Sequence, residues 1–156
     1  MTAGAPPRTV PHEWLHHLED EADAAYLYRE LAALEKDPSR ADLYRKLAGV
    51  EDRHVEMWRG LIRDGGHRVP EVAPSKRARA MAWLARRFGP GFLAPMLLEE
   101  EGREVKGYLS MYQKAPEGAV GETALTLARE SAQHAQDLAT MEFKSFPGFA
   151  VVLATG

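Results

Sequence analysis

Glutamate, histidine and tyrosine side chains recur in this chain at one constant spacing. The pairs separated by 80 positions are Glu21 and Glu101, Tyr28 and Tyr108, and His54 and His134. The pattern is broken once, because the position that corresponds to Glu51 is Ser131. Carboxylate and imidazole groups are ligands for divalent transition metals. A repeated set of them predicts two helix pairs with converging acidic groups, an arrangement that usually holds two metal ions.

Four glutamates are predicted to face the protein interior: Glu21, Glu51, Glu101 and Glu104. An ionised carboxylate buried alone costs roughly several kcal/mol, even after relaxation. Such groups must take up protons, contact cationic partners or bind cations. Two divalent ions would neutralise them, with His54 and His134 as nitrogen ligands. Mixed oxygen and nitrogen ligation favours iron, manganese or zinc over magnesium or calcium.

The elements that must position these groups are helices. Proline and glycine residues mark where the helices end. The predicted helices cover about 11–36, 39–64, 75–88, 92–114 and 119–143. Ser39 is predicted to cap the second of them, and Ser75 to start the third, which is short and basic. No strand signal occurs apart from a short apolar tail. The pattern predicts an all-α, antiparallel four-helix bundle with a short extra helix in the crossover between the second and third long helices.

Each long helix carries core-facing positions at alternating steps of three and four residues, as expected for a bundle. These positions are Trp14, Leu18, Glu21, Ala25, Tyr28 and Ala32; Tyr44, Leu47, Glu51, His54, Trp58 and Leu61; Ala94, Leu97, Glu101, Glu104, Tyr108 and Met111; Ala124, Leu127, Ser131, His134, Leu138 and Met141. No lysine or arginine is among them. The acidic residues therefore lie near the middle of the helices, on the faces predicted to be buried. Exposure to solvent does not account for acidic residues at such positions.

Composition excludes several other functions. The chain has 156 residues, a formal charge of −3 and no cysteine. It is long enough for one domain with a core, and it lacks the basic field that attracts nucleic acid. The absence of cysteine excludes disulfides, iron–sulfur clusters and thiolate zinc sites. We expect a cytoplasmic protein that binds no nucleic acid.

Each local signal is weak when taken alone. Glu51 and His54, three residues apart on a helix, are a common combination, and the acidic run that ends at Glu101 resembles an ordinary solvated face. Their shared spacing and shared helical phase make the set a much stronger indication of metal binding. Tyr28 and Tyr108 are interpreted as core residues that hydrogen-bond to ligand carboxylates, and His16 and His17 as surface residues.

Taken together, these residues resemble the ferritin-like superfamily, and within it the rubrerythrin type of di-iron domain. That pattern has one Glu on each of the first and third helices and Glu-x-x-His on each of the second and fourth. Glu21, Glu51, His54, Glu101 and His134 match it. The stretches 51–58, 82–89 and 98–104 are closest to the ferritin-like domain of membrane-bound ferritin, which is joined to membrane iron transporters of the vacuolar iron transporter family.

The resemblance implies roles for individual residues. Glu51 would bridge two irons, with Glu21 and His54 on one and Glu101 and His134 on the other. Glu104 resembles the additional carboxylate that moves between the irons during redox cycling, so Glu51 and Glu104 are the expected catalytic residues. The chain departs from the family at Ser131, where a second bridging Glu is expected.

Three consequences of Ser131 are open. Glu130 could substitute as a ligand, but it is rotated about 100° from the core-facing positions and would need an overwound helix or a π-bulge. Alternatively, water and Glu104 complete a dinuclear site, or only the ion held by Glu21, Glu51 and His54 binds tightly. We favour a complete or nearly complete dinuclear site.

The resemblance predicts a protein that binds two Fe(II) ions and oxidises them with O2 or peroxide, a ferroxidase or peroxidase activity connected to iron transport or detoxification. Manganese or zinc could replace iron. The alternative is a non-catalytic iron- or manganese-binding module that regulates a membrane metal transporter. A metal-free structural bundle is the least favoured interpretation.

The segments are expected to be a flexible lead at 1–11, the bundle at 12–145 and an apolar tail at 146–156. The tail is interpreted either as the start of a membrane segment or as a segment that packs on the bundle. The basic helix is interpreted as a solvated face or as a surface that rests on anionic lipid at the cytoplasmic side of a membrane. A transporter domain is an expected partner, and we expect a homodimer.

Overall fold

All regular structure in residues 10–144, the part of the chain that the computed structural model describes, is helical. The elements are α1 (His12–Leu34), α2 (Pro38–Asp64), α3 (Lys76–Phe88), a 3-10 turn (Pro90–Phe92), α4 (Ala94–Lys114) and α5 (Gly118–Lys144). The prediction of an all-α protein is confirmed, and so is a short helix between the second and third long ones. The predicted helix limits agree with these bounds to within about two residues, as is usual for helix ends.

The helices begin and end at residues that favour such breaks. Asp37 occupies the cap position of α2 in an extended conformation, and Pro38 follows in the first turn, where its missing N–H is tolerated. The prediction that Ser39 caps this helix is therefore wrong, because Ser39 already lies inside it. Gly66 has a φ of 81° just beyond the end of α2, a left-handed conformation that glycine adopts without steric cost.

The chain divides between Arg87 and Phe88 into two compact units. In the first unit α1 packs along α2, and in the second α4 packs along α5. The 80-residue spacing reappears in the helix limits. Pro38–Asp64 corresponds to Gly118–Lys144 at both ends, and α1 and α4 end at the corresponding residues Leu34 and Lys114. The sequence repeat thus describes two helix pairs in which α2 and α5 have the same length and α1 and α4 end at corresponding residues.

The core-facing positions predicted from the helical periodicity are buried with three exceptions, since Trp14, Ala32 and Glu104 are half-buried. Corresponding residues in the two units are buried alike. Tyr28 and Tyr108 are both 0 % exposed, and so are Leu47 and Leu127. Apolar packing of this kind holds each helix pair at the rotation that turns its acidic residues inward.

Helix α3 is attached to α1 by polar contacts at both of its ends. At the start, the Ser75 N–H and hydroxyl donate to the Asp23 carboxylate at 2.8 and 2.6 Å. The Ser75 hydroxyl also accepts a hydrogen bond from the Ala78 N–H at 3.1 Å, which makes it the cap of α3. Towards the other end, Arg86 lies 2.9 Å from Glu30. These contacts orient the exposed face of α3 relative to α1.

None of the helices described between residues 10 and 144 is long and apolar enough to cross a membrane. Residues 1–9 and 145–156 lie outside the described part of the chain. The predicted lead therefore falls almost wholly outside it, and so does the apolar tail.

Candidate metal centre

Three ionisable side chains meet in the interior of the first unit. Glu21 comes from the middle of α1, and Glu51 and His54 come from one face of α2. All three are 0 % exposed. Residues three apart on a helix lie on the same face, so α2 presents two ligands and α1 supplies the third. The three residues, predicted to face the interior, thus lie close together in the structure.

The distances within this group fit a metal ion. The His54 Nδ1 lies 3.1 Å from Glu21 Oε2 and 3.3 Å from Glu51 Oε2, and one ligand atom from each residue falls within 4.8 Å of the others. Ligand atoms bound about 2.1 Å from an ion lie about 3.0 Å apart at octahedral angles and about 3.4 Å apart at tetrahedral ones. The three side chains are therefore spaced as a ligand set would be, with His54 using its Nδ1 atom.

The electrostatics of the group also favour a cation. Burial raises the pKa of Glu21 well above its ordinary value of 4.5, and the neighbouring Glu51 carboxylate raises it further, while His54 acts in the opposite direction. A carboxyl group in this environment resists ionisation unless positive charge is near. A divalent ion between Glu21, Glu51 and His54 would supply that charge.

The raised pKa of Glu21 predicts a pH dependence for the metal-free protein. From near pH 4.5 up to the folded-state pKa, the native state holds a proton that the unfolded chain has released. The free energy of unfolding must therefore fall as pH rises through this window. Glu21→Gln lacks the titrating carboxyl group, so its free energy of unfolding should depend less on pH than that of the wild type. Denaturation measured with chelator at a series of pH values from about 4 to about 8 tests this. Equal pH slopes for variant and wild type would contradict this account.

The second unit contains the corresponding pair. The His134 Nδ1 lies 3.4 Å from Glu101 Oε1, and both side chains are 3 % or 4 % exposed. The separation between the two residues is 33 positions, the same as between Glu21 and His54. At the position that corresponds to Glu51, Ser131 is 0 % exposed.

Glu104 and Glu130, the other two predicted ligands, lie at the margin of the second unit's interior. Both are half-buried, and neither belongs to a three-ligand group among residues 10–144. Helix α5 is regular from Gly118 to Lys144 and contains no π-helical turn. The local distortion that we required for Glu130 to reach the centre is therefore absent in this structure, whereas the proposed movement of Glu104 stays a prediction.

Aromatic side chains extend the first unit's core from the carboxylate group towards the start of α1. Trp58 is fully buried, as predicted. His17 was expected at the surface, but its ring stacks on Trp58 at 5.0 Å and 12°, and its side chain is only 12 % exposed. Burial lowers the pKa of His17. The helical pattern of α1 alone did not predict this contact, because it depends on the reach of Trp58 from α2.

Comparisons with known proteins identify no relative of this chain. No protein-family model, no curated protein and no solved structure matches it.

Proposed function

We propose that this protein binds two iron ions and oxidises Fe(II) with O2 or peroxide. The observation that carries the proposal is the group of Glu21, Glu51 and His54, which are fully buried with ligand atoms within 4.8 Å of one another. Buried carboxylates are costly unless they are paired or coordinate a metal. The carboxylate oxygens of Glu21 and Glu51 and the ring nitrogen of His54 are donors that suit iron, with manganese or zinc as alternative occupants.

The proposed roles follow the two halves of the repeat. Glu21 and His54 would hold one ion, Glu101 and His134 would hold the other, and Glu51 would bridge them. Glu104 would change its position with the oxidation state. A small number of protein ligands leaves coordination positions open, and an oxidant needs such positions to reach the metal.

The redox step balances with either oxidant. Oxidation of two Fe(II) ions releases two electrons. Peroxide takes them up with two protons and leaves as two water molecules, whereas O2 takes them up with two protons and leaves as hydrogen peroxide. Bound iron supplies the electrons. The buried carboxylates of this chain hold the ions in place and offset the increase in positive charge on oxidation.

We also propose a family for this chain and an arrangement for its helices. The chain would be a ferritin-like, rubrerythrin-type domain in which the two helix pairs form an antiparallel four-helix bundle. The supporting observations are the 80-residue repeat, the corresponding ends of the helices and the equivalent Glu–His contacts at 3.1 and 3.4 Å.

Oxidation of Fe(II) by the isolated protein tests this activity. Metal-free protein is mixed with Fe(II) and exposed to O2 or peroxide, and the remaining Fe(II) is followed with a colorimetric chelator. We expect an initial rate at least about tenfold above the protein-free control, equivalent to about 1.4 kcal/mol of barrier lowering. The variant Glu99→Gln, at an exposed position of α4, serves as a matched control and should retain the activity. A rate equal to the protein-free control would refute the oxidase function.

Ser131 favours a second candidate, a non-catalytic module that captures iron or manganese and regulates a membrane transporter. A buried serine at a ligand position removes one negative charge from the second half of the site. Loss of a bridging carboxylate should slow a two-electron oxidation. Fe(II) that binds tightly but oxidises at the protein-free rate would favour this candidate, and rapid turnover would exclude it.

We further propose that the protein acts at the cytoplasmic face of a membrane. Residues 72–98 include five basic residues and no acidic one, in a chain with a net charge of −3. Helix α3 buries Ala78, Met81, Ala82 and Ala85, and its opposite face exposes Trp83 at 58 % beside Arg79 and Arg87. Tryptophan surrounded by basic residues is typical of helices that lie at a lipid interface.

Vesicle binding tests the lipid surface. We expect the protein to cosediment with vesicles that contain phosphatidylserine and not with vesicles of phosphatidylcholine alone. Each basic residue near an anionic surface contributes about 1 kcal/mol, so added salt should release the protein. Trp83→Ala should weaken binding, whereas Trp14→Phe, on α1, should leave it unchanged. Equal binding to both vesicle types, or none to either, would contradict this surface.

A further inference from the structure

One end of the second unit exposes three large apolar side chains. Phe88, Phe92 and Met96 are 62 %, 51 % and 39 % exposed, and the rings of Phe88 and Phe92 lie 5.7 Å apart. These three residues, which we call the apolar patch, surround the 3-10 turn and the first turn of α4. Apolar side chains that are exposed together mark a surface that another group covers.

The end of α5 lies at the same end of the unit as the apolar patch. Helices α4 and α5 pack along each other and are joined by the short connection 115–117, so they run antiparallel. Helix α4 has 21 residues and α5 has 27. At 1.5 Å per residue, α5 extends about 9 Å beyond the start of α4. The chain therefore leaves Lys144 next to the turn that carries Phe92.

The segment that follows Lys144 has the composition of a covering segment. Residues 145–156 contain no charged side chain, and most of them are apolar: Phe146, Phe149, Ala150, Val151, Val152, Leu153 and Ala154. The pair Pro147-Gly148 favours a turn, which would direct the following residues back towards the helices. The twelve residues can span at most about 40 Å, whereas neighbouring helices are only about 8–10 Å apart. The patch is thus within easy reach.

The size of the patch disfavours a second copy of the chain as its occupant. Large side chains bury roughly 150–250 Å² each when they are fully covered, so the exposed parts of these three offer roughly 300 Å². A stable interface between two proteins needs about 800 Å² from each partner. The patch is too small for such an interface but large enough for a few residues of a connected segment.

The charges beside the patch disfavour an anionic lipid surface. Glu99 and Glu100 lie three and four residues after Met96, on the same side of α4. The Glu99 side chain is 74 % exposed. These carboxylates would meet anionic headgroups if the patch entered such a membrane, and like charges repel. The patch differs in this respect from the face of α3 that carries Trp83.

We infer that residues 145–156 dock on the apolar patch of their own chain. The apolar side chains of this segment cover Phe88, Phe92 and Met96 and hold the end of α5 against the start of α4. Both the patch and the attachment point at Lys144 belong to the second unit. The inference concerns an interaction surface and does not depend on the proposed metal-binding function.

A spin label on the segment tests the inference. The chain has no cysteine, so a label attached to Ala150→Cys in the full chain reports on that position alone. Electron paramagnetic resonance should show an immobilised label at low protein concentration and without vesicles. Phe92→Ser or Phe88→Ser should cause loss of the immobilised component. The matched control is Leu109→Ser, because Leu109 is also on α4 and 40 % exposed but lies outside the patch.

A second label position, Val152→Cys, keeps the test decisive if the first label disturbs docking. A label that is mobile at both positions would overturn the inference. Immobilisation that persists in Phe92→Ser and Phe88→Ser would place the segment elsewhere. Immobilisation only at high protein concentration would mean that a second copy covers the patch. Immobilisation only after addition of phosphatidylserine or phosphatidylcholine vesicles would assign the segment to a bilayer. Each of these results contradicts docking on the patch of the same chain.

Discussion

Replacing Glu51 by glutamine is expected to abolish tight metal binding without unfolding the protein. Glutamine keeps the size of the side chain but removes its charge, and the carboxylate lies 3.3 Å from His54 in a fully buried group. Affinity should fall by at least about 100-fold, because loss of an outer-shell partner alone costs roughly 10–100-fold. Equilibrium dialysis with Fe(II) under anaerobic conditions measures the change.

The metal-free form of Glu51→Gln provides an internal check. Glu51 raises the pKa of Glu21 by repulsion, so its removal should leave the metal-free protein at least as stable as the wild type near neutral pH. The matched control is Glu56→Gln, on the exposed side of α2, which should bind metal normally. Full affinity in Glu51→Gln would mean that the buried group is not the metal site.

Replacing His54 by alanine should have the largest effect on stability. The imidazole contacts Glu21 at 3.1 Å and Glu51 at 3.3 Å, and none of the three side chains is exposed. Removing one partner of a buried hydrogen-bonded group costs about 1–3 kcal/mol, and the cavity left by the imidazole adds to that cost. For a chain of this length that cost should lower the melting temperature by about 10 °C. A thermal melt of the metal-free variant measures it.

His16→Ala is the control for His54→Ala. His16 contacts Asp20 at 3.2 Å, but its side chain is 62 % exposed, and exposed pairs of this kind contribute about 0–1 kcal/mol. Its melting temperature should therefore stay close to that of the wild type. An equally small effect of His54→Ala would contradict the interpretation of the buried group as a strongly coupled set.

The helices and their buried faces could be predicted because their signals are local. Proline and glycine interrupt helices wherever they occur, and a step of three or four residues sets one face inward. The repeat then related α1 and α2 to α4 and α5, and with them Glu21–His54 to Glu101–His134. Local rules were enough to predict the fold class and the burial of Glu21, Glu51 and His54.

Features that depend on neighbouring helices could not be predicted. The stacking of His17 on Trp58 at 5.0 Å needs the relative rotation of α1 and α2, and the attachment of α3 through Ser75 and Asp23 joins residues 52 positions apart. The start of α2 at Pro38 was missed in favour of Ser39, because serine is a good cap in general and the extended Asp37 is visible only in the backbone.

Thermal melting of the metal-free protein, with and without added Fe(II) under anaerobic conditions, measures whether the native state binds iron. A ligand that binds only the native state stabilises it by about 2.7 kcal/mol at 100 times its dissociation constant. Saturating Fe(II) is therefore expected to raise the melting temperature by about 5–10 °C, and chelator should reverse the rise. An unchanged melting temperature with Fe(II), and likewise with Mn(II) and Zn(II), would contradict a metal centre at Glu21, Glu51 and His54.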